Sequence, residues 1–378
     1  DIPARELTAP PIYTPPREEP AYLKRVNNPA LLQKIPLPED YEDVVLEMLR
    51  SPNLCSRKWV YEQYDHMVQT NTVVLPGKGT SVLRVKGKKW GIAVTTDCNP
   101  VYCYLDPYQG ARIAVAEAAL NLSACGARPA AITDCLNFGN PEKPDRYWQF
   151  VEAVKGIADA SRFFGLPIVS GNVSFYNENP SGAIYPTPTI GMVGILEDVT
   201  RAVDGTLKKE GHMVVLLGTM REELGGSEYL RVIHGLEAGP PPSLSLPEEK
   251  RLQELLVELA EKGLVASALD VSEGGLLFAL LEACLSPENP LGVIVDVGRW
   301  KNLRVDAVLF GEARGRALIS VEKERYPVVE RMAQEKNIPC TPLGNVAGEK
   351  FLVQSGQEIL VSLPVVELKA IWERVLEI

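Results

Sequence analysis

Four segments combine residue types that could handle a phosphorylated ligand. The run GNVSFYNE, from Gly171 to Glu178, directly follows a predicted strand and brings together a glycine, an asparagine carbonyl and a serine hydroxyl. Glycine lets a ligand approach the backbone closely, and amide and hydroxyl oxygens are hard ligands, so the run suits a Mg²⁺-nucleotide site. Taken on chemistry alone, a turn in which Asn172 and Ser174 bond their own backbone is the better reading. Asp134, in TDCLNFGNP, is a carboxylate at a predicted strand end, ahead of Asn137, Gly139, Asn140 and Pro141. There it could hold a ribose hydroxyl or a metal, or only organise an Asx turn or cap. Asp270, in ALDVSEGGLLFAL, sits between an apolar strand and a helix start; it is placed either for Mg²⁺ beside a phosphate or for capping that helix. GGSEYL, Gly225 to Leu230, reads as an exposed glycine loop, with a phosphate cradle as the alternative.

Other reactive side chains offer less. His66, His212 and His234 are far apart; His212 begins a predicted strand and is read as structural, which leaves His66 as the histidine to consider near a ligand. The seven cysteines are odd in number and contain no CxxC pair, against both a disulfide framework and a zinc site. None lies at a helix N-terminus or beside a base that would lower its pKa, so all seven are expected to be buried and inert.

The elements that must position these groups are α/β. Residues 1–45 are dense in proline and read as a linker or surface-hugging arm, followed by a short helix from Tyr41 that Pro52 stops. Strands are predicted at 72–75, 81–85 and 91–96, then a helix over 111–125 with Gly126 as its cap. Strand 129–134, helix 145–164 and strand 167–170 form a unit that requires a parallel pair and a right-handed crossover. Asp134 and the Gly171-Asn172 pair then fall at carboxyl ends on one sheet edge, where open α/β sheets bind ligands. Strand 189–195 closes a first domain (46–200). A second (201–378) opens with HMVVLLG and continues as α/β: helices at 247–262, after Gly275, at 323–336 and at 365–377, and strands at 265–269, 292–297 and 317–321, with 238–245 an internal loop.

Composition bounds the partners. The chain has 378 residues, 46% hydrophobic and 23% charged, enough for two cores. No apolar run approaches the roughly 20 residues of a bilayer span and the start lacks a signal pattern, so a cytoplasmic protein is expected. A net charge of −10 without a basic cluster argues against nucleic acid and anionic membranes. A start at Asp1 rather than Met makes a longer parent an expectation.

Longer segments resemble one family. YDHMVQTNTVVLPG (64–77), TTDCNPVYCYLDPYQG (95–110), ITDCLNFGNPEKP (132–144), VSGNVSFYNE (169–178), YPTPTIGMVG (185–194), LGGSEYL (224–230) and LDVSEGGL (269–276) together resemble the second half of the small bacterial and archaeal phosphoribosylformylglycinamidine synthases. Members contain two homologous halves, each a pair of α/β domains like aminoimidazole ribonucleotide synthetase. The resemblance implies a carbon-nitrogen ligase: ATP phosphorylates the formamide oxygen of formylglycinamide ribonucleotide and ammonia displaces phosphate to give the amidine.

Residue by residue, the resemblance implies ATP contacts at Asp134 and Gly171, a Mg²⁺ ligand at Asn172 and a ribonucleotide contact at Ser174, with Asp270 and Glu312 as auxiliary candidates. It implies as partners the N-terminal half, a separate glutaminase and a small accessory subunit, and a homodimer as a possible substitute for the two-half pairing. No catalytic residue is expected here. The family's histidine motif belongs to the first half and is absent, and its substrate loop is replaced by FGEARGR, 310–316, which keeps Glu312 but follows it with Ala313 and Arg314. A well-placed proton donor or base supplies about 10²- to 10⁴-fold in rate, so this half is expected to bind more readily than it turns over. A non-catalytic nucleotide-binding scaffold that docks the glutaminase is the competing reading. A stand-alone kinase-like relative, such as a selenophosphate or thiamin-phosphate enzyme, is a third, disfavoured by the purine-specific segments.

Overall fold

A computed structural model of the chain describes residues 1–9, 12–285 and 288–376. Pro10 and Pro11 of the arm, and the end of the helix expected over 365–377, lie outside them. Proline density limits the arm to short pieces: α1 (Ala4–Thr8), α2 (Leu23–Val26) and a 3₁₀ turn, Pro29–Lys34. Tyr22 of the arm stacks on Tyr104, and the amide of Asn27 donates to the Leu105 carbonyl, so the segment lies against the body of the protein. Helix α3 (Tyr41–Met48) is capped by Asp40, and α4 (Lys58–Tyr61) is a single turn.

The first sheet contains β1 (Thr72–Val74), β2 (Ser81–Arg84), β3 (Gly91–Asp97), β4 (Arg128–Asn137) and β5 (Ile168–Ser174). A two-residue hairpin, β6 (Glu178–Asn179) with β7 (Gly182–Ala183), precedes the last member, β8 (Thr187–Leu196). The order is β1-β2-β3-β8-β4-β5, antiparallel except for β4 with β5. That parallel pair is the predicted crossover, carried by α7 (Pro144–Phe164), which Gly165 ends in the left-handed region at φ +70°. After the short helix α5 (Pro100–Leu105), α6 (Pro107–Ala124) begins with Asp106 capping Gln109 and Pro107 in its first turn. Helices α6 and α7 cover one face of the sheet with a core that includes Ile132, Ile157, Ile190 and Met192. The other face carries exposed Val94, Thr133, Cys135 and Val193.

Both strands of the parallel pair outrun the sequence reading. Each continues three residues past Asp134 and Gly171, because β8 pairs with β4 as far as Asn137↔Thr187 and β4 pairs with β5 as far as Asn137↔Ser174. Ladder pairing overrides the turn preference of the asparagines. Gly171 to Ser174 therefore lie in a strand, not in a loop after one.

A second sheet holds β9 (Met213–Leu217), β10 (Ser267–Asp270), β11 (Val293–Asp296), β12 (Ala317–Val321), β13 (Cys340–Val346), β14 (Lys350–Ser355) and β15 (Glu358–Pro364), ordered β10-β12-β9-β13-β11-β14-β15. The central strands β9 and β12 are covered on both faces, as the unbroken apolar run VVLL requires. Helices α8 (Glu228–His234), α9 (Leu246–Glu261), α10 (Gly275–Leu285), α11 (Val305–Phe310), α12 (Tyr326–Glu335) and α13 (Val365–Arg374) complete it. The sequence reading found neither the last three strands nor α5, α8 and α11. It also placed Gly225 to Leu230 in an exposed glycine loop. These residues are buried: an added Cβ at Gly225 would lie 1.9 Å from the Pro240 carbonyl, and Ser227 caps α8. Close packing requires both glycines, since an added Cβ at Gly226 would lie 2.8 Å from the Leu105 side chain.

Candidate functional site

Register places the sequence candidates on one row of the first sheet. Asp97 of β3 and Asp134 of β4 both pair with Ile190 of β8, and Asp134 pairs onward with Gly171 of β5. Directly paired residues share a face, so Asp97, Ile190, Asp134 and Gly171 point to the helix-covered side, while Asn172, opposite Cys135, points to the open side. The two ends of this row differ in every physical respect.

At the outer end, β5 is the sheet edge and six of its seven residues are exposed. Gly171 is required by its neighbour: an added Cβ would stand 2.2 Å from Asp134 Oδ1. The Asp134 carboxyl accepts no hydrogen bond among the described residues, and partial burial raises its pKa. Asn172 is likewise exposed without a side-chain partner. Ser174 Oγ meets Asn177 Oδ1 at 3.2 Å, and the Asn177 amide donates to the carbonyls of Phe138 and Ser174. Among the described residues the turn reading thus holds for Asn177 and fails for Asn172 and Ser174, whose side chains bond no backbone atom. Because Asp134 and Asn172 sit on opposite faces, a ligand touching both must meet them around the rim of β5.

At the inner end, Asp97 looks into a crevice between the two sheets, a cavity of about 370 Å³ also lined by Glu117, Asn121, Asp270, Glu273 and Glu282. Asp270 ends β10 there. Burial raises the carboxyls of Asp97, Glu117 and Asp270, and pushes Glu282 and Glu312 up to about 7. Among the described residues no three of these side chains converge to hold a metal ion. Glu312 is fully buried and turned away from solvent: Oε1 accepts from the backbone amides of Glu228 and Gly274, each at 2.8 Å, and Oε2 from the Tyr102 hydroxyl.

One expectation is corrected. Cys135 is exposed on the open face, and Cys98 and Cys340 are half-buried, so burial is not general among the cysteines. His66 is half-buried, its ring edge-on to Tyr61 and a ring nitrogen 3.2 Å from the Tyr64 carbonyl. Sequence reasoning missed Asp97, Glu117, Tyr102 and Arg314, whose partners lie in distant segments. The available signal was a carboxylate, Glu117, inside an otherwise apolar helix face.

Two α/β units, the first with a mixed sheet whose parallel pair is joined by a crossover helix, define a class. The model of the AIR synthase related protein N-terminal domain matches residues 77–196 and that of the C-terminal domain residues 209–354. The chain belongs to the AIR synthase related family. Within it, the chain is similar to phosphoribosylformylglycinamidine synthase subunit PurL of Thermoanaerobacter pseudethanolicus, 44% identical over 98% of this chain and 50% of that protein. It is 46% identical to the subunit of Moorella thermoacetica over the same shares. The chain thus spans about half the length of the curated relatives it matches. Among solved structures, Thermotoga maritima PurL complexed with FGAR aligns at a TM-score of 0.71 and 19% identity, over 90% of this chain and 55% of that one. PurLQS from the same organism aligns at 0.68 and 21%, over 92% and 54%. At these identities the alignments establish the shared fold. No helix among the described residues is long and apolar enough to cross a membrane.

Proposed function

We propose that the chain is the C-terminal half of an ATP-dependent amidine-forming synthetase that converts formylglycinamide ribonucleotide to formylglycinamidine ribonucleotide. The observation that carries this reading is the edge strand β5, where Gly171 and Asn172 stand exposed beside the unpartnered carboxylate of Asp134. Relatives at 44–46% identity bear the synthase name, and Thermotoga maritima PurL has been captured with FGAR and with ATP. Asp134 receives a ribose hydroxyl, and Gly171 admits the nucleotide against the backbone. Asn172 fits Mg²⁺ as a single free hard-oxygen donor on an open rim, where the ion keeps waters and phosphate oxygens as its remaining ligands. Mg²⁺ supplies neutralisation of the phosphate charge during phosphoryl transfer. Ser174, released from Asn177, contacts the ribonucleotide.

The acid-base groups come from the N-terminal half, which covers the β5 edge and the open face. A second copy of this chain takes that place when the other half is absent. Ammonia comes from a separate glutaminase, held with a small accessory subunit. With ATP, Mg²⁺, ammonia and the formyl substrate, the chain alone yields no amidine, and adding a separately produced N-terminal half restores turnover. Product from the chain alone would refute this reading. If the chain were only a scaffold, Asp134→Asn in the reconstituted enzyme would leave turnover intact.

A further inference from the structure

The turn Gly311–Arg316, between α11 and β12, contradicts the rule that connections run over the surface. Glu312, Arg314 and Arg316 are all buried, Glu312 and Arg316 completely. Burying charge is unfavourable unless each group is paired and hydrogen-bonded, so three such residues in six positions require a compensating arrangement. Arg316 closes the turn on itself: Nε donates to the Ala313 carbonyl at 2.9 Å and Nη2 to the Gly311 carbonyl at 2.6 Å. Arg314 reaches the other sheet's helix, where Nη1 pairs with Glu117 of α6, and Nη2 lies 3.3 Å from the Tyr102 hydroxyl of α5. Tyr102 donates in turn to Glu312, whose other oxygen collects the amides of Glu228 and Gly274.

Two backbone amides and a phenol converging on one carboxylate, with a guanidinium behind the phenol, are the donor set that would bind an external carboxylate or phosphate oxygen. Here a carboxylate of the same chain fills it. We propose that the Gly311–Arg316 turn is a built-in ligand: Glu312 and Arg314 fill the oxyanion-binding end of the crevice from within and lock the two sheets in one relative orientation. The crevice is thereby closed to an anionic ligand at this end, and the coupling runs through two pairs, Glu312 with Tyr102 and Arg314 with Glu117, each joining the second sheet's turn to a helix of the first.

A built-in ligand can be exchanged for a free one. Glu312→Gly removes the carboxylate and leaves its donors, so the full chain should unfold at a clearly lower urea midpoint. Excess sodium formate, compared with equal sodium chloride, should then recover at least half of the loss while leaving the wild-type midpoint unchanged. A variant as stable as wild type, or one indifferent to formate, overturns the proposal. Should Glu312→Gly not yield folded chain, Arg314→Met serves. Alone it strands Glu117 and lowers the midpoint, and adding Glu117→Gln restores much of it, because removing both charges leaves no buried ion. Losses that simply add in the double variant would show that the pair carries no coupling and refute the lock.

Discussion

Asp97 and Asp134 stand in one row on one face of one sheet, both registered on Ile190, yet the protein treats them oppositely. Around Asp97 the side chains are buried at a crevice between the sheets, where Glu117 pairs with Arg314, and beside it Glu312 takes three donors. Around Asp134 and Gly171 the strand is bare. Buried polar groups must be satisfied within the chain, whereas exposed ones can wait for a ligand. On the proposed reading the difference separates structure from site more surely than residue type, since both ends hold acids beside backbone amides.

That contrast breaks first under charge removal. Glu117→Ala should destabilise the chain by about 3–5 kcal/mol by leaving Arg314 buried without its partner. Asp134→Ala should shift stability by less than about 0.5 kcal/mol, as for a surface group without partners. Urea unfolding of the two variants checks both; comparable losses would erase the distinction.

Next in size is a pH effect. The folded state raises the Glu282 carboxyl from 4.5 to about 7 through burial, with the neighbouring Asp270 adding to it. Between those values the folded chain holds more protons than the unfolded one, so this group's contribution to stability falls as pH rises through the window and is flat above it. Glu282→Gln should gain roughly 1–2 kcal/mol at alkaline pH and nothing at a pH below the unfolded carboxylate value. A gain confined to acid would reverse the assignment.

How far the two ends could be read in advance follows from the same contrast. The pairing of Asp134 with Gly171 was legible because a strand-helix-strand unit forces a parallel pair, though both strands run on past the ends expected for them. The lock was not, because Arg314 and Glu117 are 197 positions apart and only tertiary packing joins them. The strands β14 and β15 carried a usable signal, FLVQSGQEILVSL with a glycine turn, that was passed over. Strand β13 carried less, since Pro342 and Gly344 interrupt it at a register shift. Gly225 and Gly226 misled because a glycine needed for packing looks the same in sequence as one needed by a ligand.

A smaller effect sharpens the outer end. Gly171→Ala puts a methyl against Asp134 Oδ1, a side-chain tip that can move, so stability should fall by only about 1 kcal/mol. If Gly171 and Asp134 hold the nucleotide as proposed, the displaced carboxylate should weaken ATP affinity of the reconstituted enzyme about tenfold, or 1.4 kcal/mol. Calorimetric titration would reveal an unchanged affinity if Gly171 only serves packing. Smallest in stability is Val169→Lys, at the 68% exposed edge position. It should leave the midpoint within about 0.5 kcal/mol while weakening the proposed self-association of the isolated chain, since lysine on an edge strand opposes pairing. Sedimentation velocity showing an unaltered dimer would place the contact elsewhere.

The central claim is that the bare outer end of the row is the site and the buried inner end is not. The chain carrying Asn172→Ala, and separately the chain carrying Asp270→Asn, should each be mixed with the N-terminal half and assayed for amidine formation with saturating ammonia. Asn172→Ala is expected to lower turnover about 10²- to 10³-fold, the scale of losing one preorganised electrostatic contact, and Asp270→Asn by less than tenfold. Near-normal turnover with Asn172→Ala, or collapse with Asp270→Asn in a chain that remains folded, would contradict it.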